Sequence, residues 1–141
     1  MNLKASLILV AVILTMTLVS CAPSTHQVLA TSESQVKLRS IQTRAFDTTD
    51  KQKMLRTVIA TLQDLGFIVD KADETLGTVS GTKLSGYSLR MTVSVRPRGE
   101  TQLLVRANAQ YNIQAVEDPE PYQQFFESLS KAMFLTAHQV D

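Results

Sequence analysis

The chain has 141 residues, a formal net charge of +1, two His, one Cys and no Trp. That length allows one ordinary domain with flanking segments. A single Cys excludes an intramolecular disulfide, and a near-neutral charge gives no electrostatic footprint for nucleic acid.

Lys4 makes a positive start, Ala5 to Val19 is apolar except for Ser6, Thr15 and Thr17, and Ser20 is a small residue before Cys21. This is the layout of a secretory signal peptide over residues 1–20. The apolar run is shorter than the ~20 residues that span a bilayer comfortably, so a retained transmembrane helix is the weaker reading. Leu18-Val19-Ser20-Cys21 resembles the lipobox of bacterial lipoproteins: an aliphatic residue, a tolerated one, a small one, then Cys. The resemblance implies cleavage between Ser20 and Cys21, a diacylglyceryl thioether on Cys21 and an acyl chain on the new amine. No other cofactor is expected. Cys is the one side chain here that supplies a strong thiolate nucleophile. Several chains anchor stably where one anchors only marginally. Ala22 stands where an Asp holds Gram-negative lipoproteins in the inner membrane, so the resemblance implies the outer membrane, facing the periplasm. In a Gram-positive cell the same anchor implies the plasma membrane.

Lys4 is the one charge before Cys21, so the rest of the chain carries 13 Lys+Arg against 13 Asp+Glu. From Cys21 to Gln35, small polar residues dominate and apolar periodicity is weak. This reads as a flexible tether, and His26 within it as incidental. Residues 36–141 then form the expected folded domain.

Val36 to Phe46 reads as a strand whose alternation slips near Ser40. Thr48 or Thr49 is expected to cap a helix that runs to Leu65 and ends at Gly66. Met54, Leu55, Val58, Ile59, Leu62 and Leu65 form its apolar stripe. Phe67 to Val69 is a short strand, Asp70 to Glu74 a loop, and Leu76 to Leu84 a Gly- and hydroxyl-rich strand expected to be at an edge or bent. Ser85-Gly86 makes a turn. Tyr87 to Val95 alternates cleanly, Arg96 to Glu100 is a hairpin loop, and Thr101 to Asn112 is the partner strand. Asp118-Pro119-Glu120 starts a last helix reaching about Ala137, with Tyr122, Phe125, Phe126, Leu129, Met133 and Phe134 as its stripe.

The expected order is β-α-β-β-β-β-α. It makes an α+β, two-layer fold with a mostly antiparallel sheet and two helices on one face. The order and the anchor, though no motif, loosely resemble the helix-grip domains of the lipoprotein of the outer-membrane β-barrel assembly machinery. No site residue is carried over from that family.

Nucleophilic catalysis needs a base beside a Ser or Cys, but Cys21 is committed to lipid, His26 to the tether and His138 to the tail. Two distant His cannot make a zinc site, and no phosphate-binding glycine loop is present. No metal is expected: Asp70, Asp73 and Glu74 lack calcium-loop spacing, include Lys71, and read as a solvated turn. The chain is therefore expected to be non-enzymatic. Arg90, Leu104 and Arg106 fall on the outward side of neighbouring strands, with Lys37 and Arg39 placed to join them, as a candidate interaction face. The ordinary alternative is a plain solvated surface. Arg96 and Arg98 at the hairpin tip read the same way.

Together these features point to a membrane-anchored lipoprotein acting as an accessory subunit of an envelope assembly, with an envelope protein as partner. The alternative is a small module for a lipid or other apolar ligand, held where Ala107 and Ala109 leave space between sheet and helix.

Overall fold

The computed structural model describes residues 25–84 and 88–138, with side chains over 34–84 and 88–134. The expected signal peptide, Ser20, Cys21, Ala22, the Ser85-Gly86 turn and Tyr87 lie outside the described residues. The chain divides into two compact units, residues 1–34 and 35–141.

The elements run α1 (Thr25–Gln42), β1 (Thr43–Phe46), α2 (Lys51–Asp64), β2 (Ile68–Asp73), β3 (Thr78–Leu84), β4 (Ser88–Arg98), β5 (Gln102–Tyr111), β6 (Gln114–Ala115) and α3 (Glu120–His138). The fold is α+β. The antiparallel sheet has the order β1-β5-β4-β3-β2, with β6 pairing β5.

Alternation fixes the two sides of the sheet. Leu89, Met91, Val93 and Val95 of β4 and Leu103, Val105, Ala107 and Ala109 of β5 are buried. Met54, Leu55, Val58 and Leu62 of α2 and Tyr122, Phe125, Phe126 and Leu129 of α3 join them in one core. Each large apolar side chain buried this way contributes about 1.5–3 kcal/mol.

Helix α2 begins at Asp50, not at Thr48 or Thr49: the Asp50 carboxylate accepts from Lys53 N at 2.8 Å, and Thr48 Oγ1 instead accepts from Asp50 N at 3.3 Å. Asp is as good a cap as Thr, and here it sits where the free N–H groups point. Gly66 closes the helix at φ +85°.

Four expectations are corrected. Residues 25–42 are helical, so the strand starts at Thr43 rather than Val36, and the segment read as a flexible tether is helix from Thr25. Its Gln, Lys, Leu, Arg and Ala residues favour helix even without an apolar stripe. Asp70 and Asp73 belong to β2, because a bulge between Val69 and Lys71 lets the strand continue, and the turn is displaced to residues 74–77. Strand β3 is interior, between β2 and β4, and the edges are β1 and β2. Gly81 makes this feasible, since a Cβ there would meet Ile68 O at 3.1 Å and Phe67 Cβ at 3.3 Å. Phe134 is 62% exposed instead of buried.

Strand β4 also runs past Val95 to Arg98. Strand β3 begins opposite Ser94, and Val95 N donates to Gly77 O at 2.8 Å on that side. Two residues on, the same side of β4 is open, so the missing N–H of Pro97 costs no ladder bond.

Candidate interaction face

The outward face is built from residues of even number on β3, β4 and β5. On β4 and β5 the register sets Arg90 beside Gln110, Thr92 beside Asn108, Ser94 beside Arg106 and Arg96 beside Leu104. Strand β3 adds Thr82 beside Arg90, Ser80 beside Thr92 and Thr78 beside Ser94. Strand β1 sets Thr43 beside Arg106 and Ala45 beside Leu104. Strand β2 sets Ile68 beside Thr82, Lys71 beside Ser80 and Asp73 beside Thr78.

Arg90, Leu104 and Arg106 therefore do share one face. Arg90 and Arg106 are not neighbours, however: four residues of β5 separate Gln110 from Arg106, about 13 Å of extended chain. Arg96, assigned to a loop from sequence, is the direct neighbour of Leu104, and Arg98 extends the row. Lys37 and Arg39 lie on α1, not on a strand of the sheet. The clue to Arg96 and Arg98 was the alternation continuing past Val95, which Pro97 and Gly99 obscured.

The face is polar and cationic. Lys71, Arg90, Arg96 and Arg98 are exposed and Arg106 is half-buried. Against these five stand Asp70, Asp73 and Asp47, which follows β1 and accepts from Gln102 Nε2, and all three carboxylates are engaged within the chain. Asp70 Oδ2 accepts from Thr82 Oγ1 at 2.6 Å, and Asp73 Oδ1 accepts from Leu76 N at 2.8 Å. Arg106 reaches inward as well: its Nη2 donates to Gln42 Oε1 at 3.4 Å, while its buried Nε has no partner.

Three clefts border the helices. One of about 300 Å³ opens between the ends of α2 and α3 and is lined by Phe67, Lys83, Leu89, Asp118 and Glu120. A more apolar one of about 260 Å³ lies between α2 and the β2–β3 hairpin, against Leu55, Ile59, Ala72 and Val79. A shallow groove of about 630 Å³ runs between β1 and α3 over Phe46 and Phe126. None is lined by Ala107 or Ala109. Both alanines are buried in the core with Phe125, and Tyr122 Oη lies 3.2 Å from Ala109 N. Helix α3 fills the space in which an apolar ligand was expected.

Among the described residues, no group of three His, Cys, Asp or Glu is placed to hold a metal. Among them, too, no helix is long and apolar enough to cross a membrane. No protein-family model matches the chain, and no curated protein is significantly similar to it.

Proposed function

We propose that this chain is a lipid-anchored protein of the cell envelope that works by binding, as an accessory subunit, and that the outer face of its sheet is a contact surface. The observation that carries the binding reading is the imbalance on that face. Five cations face three carboxylates that are already hydrogen-bonded, while α2 and α3 both pack on the opposite side. A cationic surface of this kind attracts anionic partners and orients them on approach. The anchor rests on Leu18-Val19-Ser20-Cys21, and the outer-membrane address on Ala22. The non-catalytic reading rests on the sequence, whose only His are His26 and His138 and whose only Cys is Cys21.

The assembly part is tested by affinity purification of the full chain from gently solubilised membranes. Recovery of a stoichiometric envelope protein is expected. Recovery of the chain alone would leave an anchored binding protein but remove the accessory role.

A further inference from the structure

We propose that the outer face lies on an anionic phospholipid surface, with Ile68 and Leu84 entering the headgroup layer and Lys71, Arg90, Arg96 and Arg98 meeting its phosphates. The inference rests on the binding reading above and names the partner of that face.

Charge is the first ground. Five outward cations against three engaged carboxylates give the face a formal excess of two positive charges. Each Lys or Arg held near an anionic leaflet adds to the attraction. The acids Glu117, Asp118 and Glu120 fall on β6–α3, away from the outward row of β3, β4 and β5.

The second ground is which side chains the face lacks. Its outward residues on β3, β4 and β5 are hydroxyls, amides, arginines and two leucines. None is aromatic, so the face offers no platform for stacking nucleic-acid bases. Nor does it carry the aromatic anchors that centre most protein interfaces.

The third ground is the placing of its bare aliphatic residues. Ile68 sits opposite Thr82, and Leu84 is two residues further along β3 on the same side, so the two are diagonal neighbours. They are 68% and 74% exposed. Ile113 is 93% exposed at the tip of the β5–β6 turn, where Asn112 N donates to Ser88 O at 3.3 Å. All three stand at one end of the sheet, where β2, β4 and β6 begin and β3 and β5 end. Apolar tips beside a cationic face match the two components of interfacial binding, buried apolar area and attraction to anionic lipid.

The test uses the full chain reconstituted into vesicles. An environment-sensitive dye is placed at Asn108→Cys, exposed in the middle of the face, and separately at Glu127→Cys on α3. The unsubstituted chain is treated with the same dye: uptake at Cys21 reports a failed anchor independently of the face. In phosphatidylglycerol vesicles the Asn108 dye is expected to shift to the blue, and in phosphatidylcholine vesicles to stay as in water. The Glu127 dye is expected to stay as in water in both. Arg90→Gln and Arg96→Gln, both exposed sites, should each weaken the response about five-fold. Salt at about 1 M, with a Debye length of ~3 Å, should reverse it. An Asn108 dye that remains in water on phosphatidylglycerol overturns the proposal. So does one shielded only in native membranes with their proteins present, which would give the face to a protein partner.

Discussion

Tyr122 Oη and Gln42 Nε2 meet at 3.3 Å across 80 residues of sequence. The same hydroxyl accepts from Ala109 N at 3.2 Å and donates to Val116 O at 2.7 Å. On this side of β5, β1 pairs with residues 103–106 and β6 with 110–111. Between them Tyr122 and Gln42 close the gap, and satisfy backbone groups that no strand reaches. Tyr122→Phe keeps the ring and strands these partners. It should cost about 2–4 kcal/mol, because each orphaned buried group costs ~1–3 kcal/mol. Urea unfolding should show a lower midpoint with an unchanged m-value. A midpoint equal to that of the wild type would mean the hydroxyl is not what closes the edge.

Gly77 and Gly99 both adopt positive φ, at +69° and +62°. They differ in what surrounds them. A Cβ at Gly77 would lie 2.5 Å from Val95 O and 2.7 Å from Lys51 Cε, whereas at Gly99 it would meet nothing within 4 Å. Gly99→Ala should cost about 1 kcal/mol, the strain of the left-handed region alone. Gly77→Ala adds a backbone collision and should cost more than about 2 kcal/mol. Equal losses in thermal unfolding would contradict this account of the β2–β3 turn.

Arg44 lies along the outer edge of the sheet. Its Nη1 donates to Ser40 O and Thr43 O, each at 2.8 Å, and its guanidinium stands 5.2 Å from the Phe126 ring centroid. A charge folded over an edge strand discourages pairing with another chain. Arg44→Ala should cost no more than about 1 kcal/mol, but should raise concentration-dependent association by light scattering. Association unchanged at every concentration would show that the edge is protected by something else.

What the sequence disclosed and what it hid follow from the same physics. The alternation of Leu89 to Val95 and of Leu103 to Ala109 was legible because one side of each strand is buried and the other wet. The stripe on α2 and the Asp118-Pro119-Glu120 start of α3 were legible for similar reasons, period and capping. Helix α1 was not: Val36 and Leu38 imitate strand alternation, and the helix carries no apolar stripe to compete with it. Phe134 was misplaced because periodicity tells which side of a helix is apolar, not where the layer beneath it ends. On the candidate face, parity placed Arg90, Leu104 and Arg106 together. Their neighbours depend on register, which a single strand's pattern does not contain, and Pro97 concealed that Arg96 and Arg98 belong to the same surface.

The proposed anchor is tested most directly by the mass of the N-terminal peptide of the mature chain. The account predicts that residues 1–20 are gone and that Cys21 is the first residue, carrying a diacylglyceryl thioether and an amide-linked acyl chain, while Cys21→Ala accumulates as unprocessed precursor. A mature chain that keeps Met1 with a free Cys21 thiol, or a Cys21→Ala chain that matures normally, would contradict it.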